Sequence, residues 1–256
     1  MEQPEMKKPV VIFGIGEMAG VFARGFLRLG HPVYPITRET GIDQLASQLP
    51  EPAAVLVAVA EGDLAHALEQ LPPTWAGGIC LLQNELLPQD WESITDPTVI
   101  SVWFEKKPGM DYKVIIPSPV FGPRARLLAD ALQAINIPSK LLGDREELLF
   151  ELVLKNLYIL TSNIAGLQVG GTVGQLWERH RELVRDITAE VITLQERLSG
   201  ARFDHQRLLE AMHEAFEGDP EHKCMGRSAP ARLARALEQA DGLDLDLPVL
   251  RAIASR

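Results

Sequence analysis

Cysteine is scarce in this chain: Cys80 and Cys224 are the only two in 256 residues. That excludes a disulfide-built scaffold, so the fold must rest on a packed interior. Cys80 lies in the apolar run GICLLQNE and reads as a core residue. Basic residues are in the minority, 25 Lys and Arg against 35 Asp and Glu, for a formal charge of −10. A nucleic-acid surface needs a basic stripe, and none is present. Any anionic ligand must therefore be held by local donors against the global field. No apolar run reaches the length of a bilayer span, and the first residues, MEQPEMKKPVVIFG, lack the long apolar stretch of a signal peptide. The expectation is a cytoplasmic protein with neither nucleic acid nor membrane as partner. Metal ligands are equally thin. EHKCMGR gathers His222, Lys223, Cys224 and Arg227, too few ligands at the wrong spacing for zinc. There are no repeats and no low-complexity segments.

What is present is an ordinary globular composition, 46% hydrophobic and 23% charged, long enough for one large domain or two modest ones. The first half alternates β-rich runs with helical patterns. Candidate strands are Val10–Phe13, Pro32–Ile36, Ala54–Val59, Gly78–Leu82, Val99–Trp103 and Lys113–Ile116. Helical stretches lie around Met18–Leu29, Gly62–Gln70 and Arg124–Ile135. Strands buried on both faces with helices between them predict a parallel α/β sheet. Pro117, Pro119 and Pro123 then break the chain. From Glu146 the strand signal vanishes. Glu146–Leu167 and Val173–Leu198 read as long helices, the second with one apolar face that includes His180. Shorter helices follow at His205–Phe216, Ala229–Ala240 and Pro248–Ala254. The layout is an N-terminal Rossmann-like α/β domain over 1–143 and an all-helical domain over 144–256. Its long helices offer a surface for a homodimer.

Between the first strand and the first helix, Gly14, Gly16 and Ala19 fit G-x-G-x-x-[GA]. Gly14 permits the tight turn, Gly16 lets a diphosphate approach the backbone, and Ala19 lets helix and strand pack closely. The helix start, at Glu17 and Met18, offers N–H groups and a positive dipole end to phosphates. The alternative is a tight strand-to-helix turn that binds nothing, and Glu17 sets a carboxylate where phosphate would lie. The second strand ends in PITRET. A carboxylate there suits the ribose hydroxyl of NAD, whereas an arginine suits the 2′-phosphate of NADP. Arg38 points to NADP; Glu39 beside it keeps NAD open.

Three further segments, LLQNELLP, ELVLKNLYILTSNIAGL and GLDLDLPVLRAI, follow the glycine turn and Arg38 in an order that resembles the ketopantoate reductase family along nearly the whole chain. The resemblance implies an NADPH-dependent reductase of a 2-oxo acid, with a Rossmann domain and a helical domain like that of 6-phosphogluconate dehydrogenase. It implies that Asn84 lies near nicotinamide and substrate, that Lys155 is the general acid, and that Asn163 binds substrate. Departures are visible. Glu85 replaces a glycine, and Ile159 stands where the family has an asparagine between Lys155 and Asn163. Ala60 and Glu61 occupy the place of a lysine, and Lys223-Cys224-Met225 that of a Ser-Ser-Met turn. The family glutamate of GR-x-E has no counterpart in GRSAPARL, where Ser228 or Ala229 falls instead. If this turn folds over the cleft as the family's does, Lys223 or Arg227 takes the place of a missing basic group, and Arg227 and Ser228 are candidate substrate contacts.

Reducing a ketone needs a donor that protonates the developing alkoxide and a polar pocket for the acid group. Lys155 and Asn163 lie roughly 12 Å apart along one helix, and so can line one face without meeting at one atom. An apolar setting would partly desolvate Lys155 and suit it to proton transfer; the alternative is a lysine at the helix edge with its head in water. His180 reads as a core histidine. Two functions remain in play: a reductase with altered substrate chemistry, and a non-catalytic NADP-binding protein. Other Rossmann reductases with helical C-terminal domains share the glycine turn but not the Gln83-Asn84 and Lys155…Asn163 pairing.

Overall fold

The computed structural model describes residues 7–255. Two compact units divide the chain, Met1–Leu149 and Phe150–Arg256. In the first, β1 (Val10–Phe13), β3 (Ala54–Val57), β4 (Ile79–Gln83) and β5 (Thr98–Ser101) are runs of almost entirely buried side chains. Such strands must be covered on both faces. One face carries Ile12, Leu56, Ile100 and Val120, packed by Phe22 and Phe26 of α1 (Glu17–Arg28) and by Leu128 and Leu132 of α4 (Ala125–Gln133). The other carries Val11, Val55 and Ile36, the last from β2 (Val33–Ile36), against Trp75. Two short helices, α2 (Ile42–Gln48) and α3 (Leu64–Glu69), complete the windings. Each fully buried Phe or Leu contributes about 1.5–3 kcal/mol.

The sheet runs β2-β1-β3-β4-β5 in parallel and continues through β8 (Ser118–Phe121), antiparallel to β5, to β9 (Ser139–Leu141). This is a doubly wound order, and its switch point falls at β1, whose neighbours β2 and β3 are reached in opposite directions. The expected α/β class is borne out. Two details differ from expectation. The prolines do not end the sheet: Pro119 sits inside β8 and pairs in register with Lys140. A proline inside a strand flanked on both sides argues against one, but the β5 ladder reaches only Val120 and Phe121, so no ladder bond there requires an N–H from Pro119. The run Lys113–Ile116 yields only β7 (Lys113–Val114), which pairs with β6 (Phe104–Glu105) in a separate hairpin.

The second unit is helical. Among the described residues its only β contact is a single bridge between Thr172 and Lys223. Its main element is α5 (Arg145–Val169), buried at every position from Glu151 to Gly166. By length and apolar composition α5 alone would suffice to cross a membrane, contrary to the sequence expectation, but 83% of its apolar window is buried inside the fold. It is the core helix of this unit. The helix expected over Val173–Leu198 is two helices, α6 (Val173–Arg179) and α7 (Arg181–Ser199), broken at His180 (φ −131°, ψ 37°). A Thr172–Gln175 capping box starts α6, and the N–H groups of Val173 and Gly174 bond the carbonyls of His222 and Pro220. That directs Trp177 onto His213 and Phe216 of α8 (His205–Gly218). Beyond the break, α7 packs on α9 (Ala229–Gly242) and α10 (Pro248–Ala254) as well as on α8. His180 is therefore a junction residue between two helices rather than part of a continuous apolar stripe.

Candidate functional site

At the carboxyl end of β1, Gly14 adopts φ +100°, and a Cβ there would lie 2.5 Å from the Ala58 carbonyl oxygen. Only glycine closes this turn against the end of β3. Gly16 caps α1 with extended backbone and no side-chain capping bond. The first intrahelical bond runs from the Gly20 N–H to the Gly16 carbonyl, 3.1 Å. The N–H groups of Glu17, Met18 and Ala19 are therefore the spare donors of a helix start. A Cβ on Gly16 would meet nothing within 4 Å, so space lies open before those donors. Ala19 is buried against the sheet. These residues fit a dinucleotide's diphosphate: uncapped donors, a positive helix pole, and room beside a glycine.

The Glu17 carboxylate pairs with Lys106 Nζ at 3.2 Å, on the turn of the β6–β7 hairpin. Gly16, Glu17, Gly20, Arg24, Lys106 and Tyr112 are among the residues lining a cleft of about 470 Å³. Beyond β2, Thr37 and Thr40 tie a tight turn: the Thr37 N–H donates to Thr40 Oγ1 at 2.9 Å and the Thr40 N–H to the Thr37 carbonyl at 3.1 Å. Arg38 and Glu39 stand exposed at its tip, neither with an ion-pair partner among the described residues. Asn84 is half-buried in the bend after β4. Just before it, Gln83 and Ser101 are register neighbours at the ends of β4 and β5. Both are buried, and Gln83 Oε1 and Ser101 Oγ have no hydrogen-bond partner among the described residues. Buried polar atoms are normally paired, and these two lie at the carboxyl edge of the sheet, where doubly wound folds bind ligands.

In the helical unit Lys155 is 6% exposed, and its Nζ lies 5.6 Å from the Tyr158 ring centroid. Asn163, two turns on, is 8% exposed. Its Nδ2 donates to the Ile159 carbonyl at 2.9 Å, which orients the amide so that Oδ1 accepts from Arg232 Nη1 at 3.1 Å. Ile159 thus serves Asn163 through its backbone. A Cβ on Gly166 would lie 2.8 Å from Met225 Cβ, so the chain at Cys224–Met225 seats directly on α5. Arg227 and Ser228, which follow, are exposed. The arginine brought to Asn163 is Arg232, which the sequence reading did not single out. Its only signal was the repeat of Arg232 and Arg235 at helical spacing. Lys106 was missed too, since a hairpin turn has no periodic signature. Burial pushes the Cys80 thiol up to about 12 and the Cys224 thiol up to about 11, so both are neutral packing groups.

The chain thus combines a doubly wound, Rossmann-type sheet and a glycine-turn helix start with a following all-helical unit. No protein-family model matches this chain, and no curated protein does. Solved structures share the fold over almost the full length. The 2-dehydropantoate 2-reductase of Methylococcus capsulatus is 13% identical, with 96% of this chain and 94% of that chain covered at a TM-score of 0.68. That of Porphyromonas gingivalis W83 is 14% identical, covering 97% and 98% at 0.64. A dimeric ketopantoate reductase of Staphylococcus aureus is 19% identical, covering 96% of each chain at 0.63. The chain has the ketopantoate reductase fold, and the resemblance carried by its sequence segments is borne out at that level.

Proposed function

We propose that this protein is an NADPH-dependent reductase of a 2-oxo acid or related carbonyl, acting in the cytoplasm. The observation that carries the reading is Lys155. This residue, 6% exposed on the core helix, holds a proton-donating ammonium in an apolar setting, and a packing role would be served better by the leucines around it. Under this reading Gly14, Gly16, Glu17, Met18 and Ala19 form the diphosphate turn, and Arg38 binds the 2′-phosphate. Asn84 orients nicotinamide and carbonyl. When bound, the cofactor supplies the hydride. Lys155 Nζ gives its proton to the carbonyl oxygen as the alkoxide develops. Asn163 and Arg232 hold the substrate's acid group, with Arg227 and Ser228 as further contacts from the preceding turn. The dimeric relative supports a homodimer.

The experiment is steady-state NADPH oxidation with ketopantoate beside a panel of 2-oxo acids. Lys155→Ala should lower kcat about 100-fold or more while leaving NADPH affinity unchanged. Arg232→Gln should raise KM for the acid roughly 30-fold, the value of a charge-assisted hydrogen bond. A wild-type protein that binds NADPH but turns over no acid would overturn the reductase reading. It would favour the second one, a non-catalytic NADP-binding protein. The specific observation behind that second reading is GRSAPARL, where Ala229 opens α9 and no glutamate follows the glycine-arginine pair.

A further inference from the structure

Glu17 is the first residue of α1, so its carboxylate occupies the pole where the helix offers spare N–H groups. In the free protein this placement is favourable. To an arriving diphosphate it presents a like charge at close range, in a chain already carrying −10. The structure places a counter-charge there. Lys106 Nζ lies 3.2 Å from Glu17 Oε2 and also donates to the Lys107 carbonyl at 2.9 Å and to the Met110 carbonyl. An ammonium has three donors, and all three are engaged. The turn is itself closed by the Met110 N–H to the Lys107 carbonyl at 3.1 Å. Lys106 is thus held in place by the hairpin, with only 20% of its side chain exposed against 42% for Glu17. Both residues line the same cleft with Gly16. The carbonyl bonds serve the hairpin turn, but as a stabilising contact a partly exposed pair contributes little, so fold stability does not account for the bond to Glu17.

We propose that Lys106 is a positioning residue of the cofactor site. By pairing with Glu17 it turns the carboxylate aside and cancels its charge, and this pair allows a helix that begins with an acid to accept a diphosphate. The inference rests on the dinucleotide reading above. It commits Lys106 to act through Glu17 rather than by contact with phosphate.

The test is a fluorescence titration with NADPH, and with NADH in parallel, on four full-length proteins: wild type, Lys106→Gln, Glu17→Gln and the double variant. Lys106→Gln should weaken NADPH binding about tenfold. In the Glu17→Gln background the same change should cost no more than about twofold, the coupling signature of an interacting pair. Lys106→Arg should retain wild-type affinity. Lys106→Gln and the double variant both lose the bonds to the Lys107 and Met110 carbonyls and should melt alike, so a difference in NADPH affinity between them is a binding effect rather than a folding one. Equal weakening in both backgrounds, or none in either, would overturn the proposal and leave the dinucleotide reading standing. A wild-type protein that binds neither dinucleotide would overturn both.

Discussion

Gly14 and Gly16 lie side by side in one fingerprint, yet their surroundings assign them different tasks. Gly14 combines positive φ with a carbonyl 2.5 Å from any added Cβ. Gly14→Ala should therefore destabilise the fold by about 1–3 kcal/mol through backbone strain. Gly16 has ordinary dihedrals and open space around its missing side chain. Gly16→Ala should cost the fold less than about 1 kcal/mol. It should weaken NADPH binding at least tenfold, about 1.4 kcal/mol, because the methyl enters the diphosphate's path. Melting curves and dinucleotide titrations on the two variants should give opposite patterns. A Gly16→Ala protein with unchanged affinity would refute the site assignment. The glycine spacing was legible because tight turns restrict residue type. That Glu17 is paired was not, since Lys106 lies far along the chain.

At the scale of elements, the α7–α8 connection shows how one buried acid organises a turn. Glu196 near the end of α7 accepts from Arg202 Nη1 at 2.6 Å and from the Phe203 N–H at 3.0 Å, and contacts His205 Nε2 at 3.2 Å. Asp204 then caps α8 by accepting from the N–H groups of Gln206 and Arg207. Burial by itself would raise the Glu196 carboxyl, but the bonds from Phe203, His205 and Arg202 outweigh it and hold the group below its ordinary value. Its folded-state pKa is thus below the unfolded value of about 4.3. The stability it contributes is full above that value and is lost as pH falls through the folded pKa. Glu196→Gln should lower stability at neutral pH by about 1–3 kcal/mol, with unmet donors left behind. It should also flatten the acid limb of a pH-dependent melt. An unchanged acid limb would show that other carboxylates carry it. This junction carried no signal in the sequence. The break at His180 was also hidden, because the apolar spacing of α6 and α7 runs on in phase across it. The β8 strand was masked by Pro119, a residue that speaks locally against pairing but lies just beyond the end of the β5 ladder.

For the molecule as a whole, each compact unit holds one buried thiol, Cys80 in the first and Cys224 in the second. Burial raises both pKa values, so little thiolate exists at neutral pH. Native protein should not react with iodoacetamide at pH 8, and labelling should rise only as denaturant opens each unit. Mass spectrometry of partly labelled samples would show whether the units unfold together, and rapid labelling of native Cys80 would contradict its packing beneath α1 and α4.

The sequence by itself determined the fold class, the positions of most elements and the glycine turn, because these follow from residue periodicity and local conformational limits. It also placed Lys155 and Asn163 on one helix, a relation set by the helical repeat. The tertiary structure alone decided what those groups meet: Asn163 with Arg232, Glu17 with Lys106, Gln83 beside Ser101. Each pairing joins residues from separate elements, and such contacts depend on how helices and strands pack rather than on the pattern within any one of them.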